Sequence, residues 1–223
     1  VLSLIAALMT FTLLPASQPH RSAENDRPTS ISLFQIVQRS GFFLFLAQFC
    51  LHTCAVSAAI YLFPLWVADG HGWQAREVGL FFGLVGVVMI VTQGNLLGRM
   101  TDRFGNVGVL RGAALVFSLS LLLSGWVSDI WAMTLVSLGA FSSATLCLPI
   151  LNTIASHLVA PSWRGQFFGM TASSSAVGRV LGPLIAAVLL AYSGFGMAWM
   201  GMGMLVSLIV IWSLTDGARL EFA

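Results

Sequence analysis

Two side chains in this sequence sit where their chemistry is out of place. Arg179 lies about twelve residues inside a long apolar run, roughly 18 Å along a helix rising 1.5 Å per residue, and His52 lies near the middle of another such run. A guanidinium at that depth in hydrocarbon costs on the order of several kcal/mol, so it needs a water-filled cavity or a partner. Its functional reading is electrostatics at a substrate or proton site; the alternative is an arginine that snorkels or bonds to carbonyls of a neighbouring helix. Histidine gains and loses a proton near neutral pH, so His52 either carries a proton or serves as a neutral ring bonded to another helix. Gln48 precedes it by one helical turn, and Gln48, His52, Ala55 and Ala59 form one stripe at spacings of three and four. A second polar stripe runs through Ser142, Thr145, Pro149, Asn152 and Ser156, although Ser and Thr also bond back to their own helix. Cys50-Leu51-His52-Thr53-Cys54 invites a metal reading. On a helix His52 is turned about 200° from Cys50, so no metal is expected, and no motif implies a cofactor.

The elements that hold these residues are apolar runs near twenty residues long. Hydrophobic residues make up 57% of the 223 and charged residues 8%, against about 25% charged in ordinary soluble domains; mean hydropathy is +0.91. Each run is long enough to cross about 30 Å of hydrocarbon as a helix. The runs are continuously apolar, without the alternation of barrel strands, so the expected class is an all-α, polytopic membrane bundle. The predicted spans are 1–14, 42–67, 77–97, 107–127, 130–156, 166–192 and 197–214. Residues 15–41 are polar, with Pro19, Pro28 and several charges, and read as a linker. Residues 1–14 read as the end of a span entered mid-helix. A signal-peptide core cut near Pro15-Ala16-Ser17 is the alternative, without the basic flank such peptides carry. Gln93 and Asn95, near the end of the third span, read as polar residues at a helix interface.

All ten basic residues are arginine. Arg21, Arg27, Arg39, Arg99, Arg103, Arg111, Arg164 and Arg219 fall on one side of the alternating loops and only Arg76 on the other. The arginine-rich side is expected to be cytoplasmic. The arginines form no patch interleaved with aromatics, so nucleic acid is not an expected partner. Cys50, Cys54 and Cys147 all lie in apolar runs and read as packing residues rather than a disulfide framework. An intramembrane enzyme is not indicated either. Ser143 and Ser174 lack a nucleophile turn with a partner histidine, no His-Glu-x-x-His occurs, and no complete span has a carboxylate in its middle.

Between the third and fourth spans stands Gly98-Arg99-Met100-Thr101-Asp102-Arg103-Phe104-Gly105. Its Gly-x3-Asp-Arg-x-Gly pattern resembles the loop signature of the major facilitator superfamily of secondary transporters. The resemblance covers nearly the whole chain and implies a division: 1–14 the end of the last helix of an N-terminal half, 15–41 a cytoplasmic linker, 42–214 a six-helix C-terminal half, and 215–223 a cytoplasmic tail. It implies that Gly98, Asp102, Arg103, Gly105 and Arg111 take part in a conformational latch between halves; Asn106 and Val107 stand where the family usually has two basic residues. Gly169, Gly178, Gly182 and Pro183, followed by Ala186-Ala187, resemble the glycine–proline signature of drug/proton antiporters in that superfamily, here in the equivalent helix of the second half. Physically, these glycines offer a face for close helix packing, and the proline a kink. By the same resemblance Gln48, His52, Ser142, Thr145, Asn152 and Arg179 line a substrate or proton pathway. The implied function is secondary transport of a small organic solute by alternating access, as proton-coupled efflux. A metabolite or sugar uptake carrier and a non-transporting receptor or scaffold are the alternatives. The implied partners are a small-molecule substrate, protons, the lipid bilayer and the N-terminal half, and the implied location is the inner or plasma membrane.

Overall fold

The computed structural model describes residues 42–158 and 164–220. In chain order, α1 is Phe42–His71, α2 Ala75–Val91, α3 Leu97–Ser124, α4 Ile130–Leu158 and α5 Arg164–Leu220. A π-helical turn, Thr92–Leu96, joins α2 to α3 without a break. No strand occurs among the described residues. The predicted span 1–14, the linker 15–41 and most of the turn at 160–165 lie outside them. In a bilayer an unpaired backbone group finds no water, so a helix that satisfies its own backbone is the natural form for these apolar runs.

Four helical stretches are long and apolar enough to cross a membrane, and two of them contain 50 and 51 residues. A straight helix of that length would measure roughly 75 Å, more than twice the thickness of hydrocarbon. Each is broken at one glycine, Gly105 (φ 71°, ψ 163°) in α3 and Gly194 (φ 75°, ψ −179°) in α5. That combination of angles is open essentially to glycine alone.

The contacts show that the chain reverses at both. Before Gly194, Ser174 Oγ donates to the Leu46 carbonyl (2.7 Å), Thr53 Oγ1 to Ser175 (3.0 Å) and Ser57 Oγ to Arg179 (3.2 Å), so this limb runs parallel to α1. After Gly194, Trp199 lies against Trp66 and Trp212 against Phe45, so the second limb runs antiparallel to α1. Around Gly105, Leu97 and Met100 pack with Val107 and Leu110 at one end of the bundle, while Phe81 and Val85 share the other end with Phe117 and Leu121. The described chain therefore makes six apolar crossings, 42–71, 75–104, 106–124, 130–158, 164–193 and 195–214.

Their interior holds two apolar clusters stacked along the bundle. One contains Leu62, Phe63, Trp66, Phe117, Leu121 and Trp199. The other contains Phe45, Phe49, Leu110, Ile150, Leu151 and Phe167. On several helices the change from one cluster to the other coincides with polar residues: His52 and Thr53 on α1, Thr92–Asn95 in the π turn, Ser143 and Thr145 on α4, Ser174 and Ser175 on α5. The fold thus sets a polar layer at mid-depth between two greasy ones.

The turns are locally determined. Asp129 Oδ2 accepts the backbone N–H groups of Trp131 and Ala132, both at 3.0 Å, and so caps α4. Glu77 Oε2 accepts the Gln74 N–H (3.0 Å) at the start of α2. The charged stretch after Leu97, expected as a tight turn, is instead helix up to Phe104, and the reversal is concentrated at Gly105. Gly98 keeps a negative φ. One glycine in a region other residues avoid turns the chain, so the charged side chains can stand on the last turns of a helix.

Candidate functional site

The predicted pathway residues separate by the direction they face. Gln48 and His52 are each 3% exposed and point into the six-span bundle. The His52 ring meets Phe117 edge-on, centroids 6.0 Å apart. Gln48 Oε1 and His52 Nδ1 are buried with no hydrogen-bond partner among the described residues. Arg179 is exposed on the outside of the bundle at the level of the polar layer, and forms no ion pair among the described residues. On α4, Ser142, Thr145 and Asn152 are half-buried; Thr145 Oγ1 bonds back to the Ser142 carbonyl (2.8 Å), and Ser142 Oγ is buried without a partner. No described hydrogen bond joins the inward pair to Arg179 or to the α4 stripe.

The glycine–proline segment makes the tightest seam in the structure. A Cβ added to Gly178 would meet the Cys50 carbonyl and Thr53 Oγ1, and one added to Gly182 would meet the Cys54 carbonyl and Ser57 Oγ. Ala186, one turn on, is fully buried. The first limb of α5 therefore lies backbone-to-backbone against α1, as small residues at a spacing of four allow. Gly169 stands apart, with open space where its Cβ would be.

At the arginine-rich end, Asp102 and Arg103 are exposed. The Arg103 guanidinium lies 5.5 Å from the centre of the Phe104 ring. Asp102 makes no ion pair among the described residues. Arg111 donates through Nε (2.9 Å) and Nη2 (2.8 Å) to the Ser213 carbonyl. It ties the second limb of α3 to that of α5 near their ends, with charge-assisted bonds of the stronger kind.

Two polar residues bond across helix interfaces, Gln93 where the sequence suggested one and Ser57 where it gave no expectation. Gln93, in the π turn, donates through Nε2 to the Thr145 carbonyl at 2.9 Å. Ser57 on α1 donates to the Arg179 carbonyl. A signal was present in both cases, a proline four residues after the accepting carbonyl. Among the described residues no group of three or more His, Cys, Asp or Glu could hold a metal ion.

An all-helical bundle of six apolar crossings is the architecture of a multi-pass membrane protein, and the comparisons narrow the kind. The fold matches that of the human organic anion transporter MFSD10, with a TM-score of 0.72 at 21% identity over 81% of this chain and 44% of that one. Rat solute carrier family 22 member 18 is 23% identical over 95% of this chain and 53% of its own length. Multidrug resistance protein 1 of Bacillus subtilis (strain 168) is 24% identical over 84% of this chain and 48% of its own. No family model matches. The chain has the major facilitator fold and is similar in sequence to transporters of that superfamily, which are carriers rather than enzymes. It spans about half the length of the curated relatives it matches.

Proposed function

We propose that this chain is the C-terminal half of a secondary transporter that moves a small organic solute across a membrane by alternating access, in the direction of proton-coupled efflux. Residues 1–14 then belong to the last helix of the N-terminal half, 15–41 to the linker and 215–223 to the tail. Arg179 carries the proposal. It is a cation held at mid-depth on the outer side of the six-span bundle, with no acidic partner among the described residues, where hydrocarbon would oppose it unless water or a solute faces it. MFSD10 is described as an organic anion transporter, and the Bacillus relative is named for multidrug resistance. An anionic organic solute exported from the cell is therefore the first substrate class to try.

His52 supports proton coupling as a protonatable ring inside the half whose Nδ1 has no partner. Gln48 lies one turn away on the same face, and Ser142, Thr145 and Asn152 complete the pathway on α4. The shared end of Arg99, Arg103, Arg111 and Arg164 supports a cytoplasmic location for the linker, the Asp102 turn and the tail in an inner or plasma membrane. At that end the latch falls to Asp102 and Arg103, with Gly105 making the turn and Arg111 anchoring the helix behind it.

The test is flux. The full-length protein in proteoliposomes, with an imposed proton gradient, should export a fluorescent organic carboxylate. Arg179→Ala should reduce that export by about tenfold or more, the worth of one desolvated charge contact, and Arg179→Lys by less. Unaltered export by correctly inserted Arg179→Ala would remove the assignment.

A further inference from the structure

We infer that Gln93 and Ser57 are positioning residues: each supplies, from a neighbouring helix, the hydrogen bond that a mid-span proline has removed. Proline has no N–H, so in a helix the carbonyl four residues before it loses its regular donor. Before Pro149 that carbonyl belongs to Thr145, and before Pro183 to Arg179. Both are at mid-depth within a helix, where the carbonyl needs a donor from elsewhere. Gln93 Nε2 reaches the Thr145 carbonyl at 2.9 Å, and Ser57 Oγ reaches the Arg179 carbonyl at 3.2 Å, sharing its one proton with the Cys54 carbonyl of its own helix at 3.3 Å. Two prolines on two helices thus have their freed carbonyls met by side chains from elsewhere in the fold. Pro64 differs: its carbonyl is that of Ile60, an exposed residue about one turn past the middle of α1, and it accepts no side-chain hydrogen bond among the described residues.

The backbone around Gln93 is as unusual as its contact. Thr92–Leu96 is a π turn inserted between α2 and α3, and it contains Gly94. Such turns are rare, shift side-chain directions along a helix and recur at functional sites. Here the inserted turn sits beside the gap left by Pro149 in α4, so one irregular helix completes another. Thr145 and Arg179, the residues whose carbonyls are held, are also two of the proposed pathway residues. The caps therefore hold the stretches of backbone on which those side chains stand. The link to the pathway rests on the transporter reading; the link between Gln93 and Pro149 does not.

A double-mutant cycle on the full-length protein separates the two. Pro149→Ala restores at position 149 the N–H donor that the Thr145 carbonyl lacks, so the cap becomes redundant. Gln93→Leu alone should lower the melting temperature of the detergent-solubilised protein by about 2–4 °C, the shift expected for one lost hydrogen bond. In the Pro149→Ala background the same change should lower it by less than half as much. Equal losses in both backgrounds, or no loss in either, would overturn the cap. If Gln93→Leu is too unstable to purify, recovery of folded protein in Gln93→Leu/Pro149→Ala supports the proposal, and failure to recover it counts against it. In flux assays Gln93→Leu should reduce kcat severalfold with KM within about twofold, as for a residue that positions without touching solute. A KM effect without a kcat effect would contradict a positioning role, whereas absent flux in the unmutated protein would count against the transporter reading and leave the thermal cycle to decide the cap.

Discussion

Two glycine stripes of similar spacing have opposite surroundings in this bundle. Gly178 and Gly182 on the first limb of α5 have the backbone of α1 against them, so that even a methyl group would collide. Gly79, Gly83 and Gly86 on α2, with Gly94 and Gly98 beyond, have nothing within 4 Å of where a Cβ would stand. Spacing alone marks both as packing faces. What separates them is hydrogen bonding across the contact. Beside Gly178 and Gly182, Thr53, Ser57 and Ser174 reach across to carbonyls of the facing helix. Gly79, Gly83 and Gly86 have no comparable bonds beside them among the described residues; the nearest is that of Gln93, at the far end of the stripe. Small residues permit close approach, and polar groups that need a partner convert permission into a seam.

Substitutions can break that contrast from its tight side first. Gly182→Leu should prevent the two helices from meeting, since the Cys54 carbonyl cannot move aside. A cost above about 3 kcal/mol is expected, seen as loss of monodisperse protein in detergent or of most of its thermal stability. Gly105→Ala meets no neighbouring atom, so its penalty comes from the backbone angle alone, about 1–3 kcal/mol; a melting curve shifted less than that of Gly182→Leu but clearly downward is the expected result. Gly83→Ala should be the mildest. With open space at its Cβ, the change should stay within about 0.5 kcal/mol of the parent. A larger loss in the full-length protein would mean that the proposed N-terminal half seats on this stripe, turning an open face into a second seam.

The same contrast explains what could be read from the chain. The crossings were legible because apolar runs of bilayer length leave few other solutions, and glycine marked both reversals within the long stretches. The charged stretch before Gly105 was read as a turn because charge clusters suggest water. The chain instead keeps it helical, since one glycine suffices for the reversal. The direction of a polar stripe was not legible. Gln48 and His52 share a helix face, but whether that face looks into the half or toward a path outside it depends on where α3 packs, and Phe117 fills that place. Nor could the sequence pair Gln93 with Thr145 or Arg111 with Ser213, because each bond joins a side chain to a backbone carbonyl more than fifty residues away. A carbonyl has no sequence signature except where a proline has freed it.

The central claim is that the mid-depth cation faces water or solute rather than lipid. The direct measurement places a single cysteine at 179 in the full-length protein, with Cys50, Cys54 and Cys147 replaced by alanine, and applies a membrane-impermeant thiol reagent from each side in turn. The account predicts labelling at 179 from at least one side. A thiol at 179 that reacts from neither side, while one at exposed Arg103 reacts readily, would contradict it.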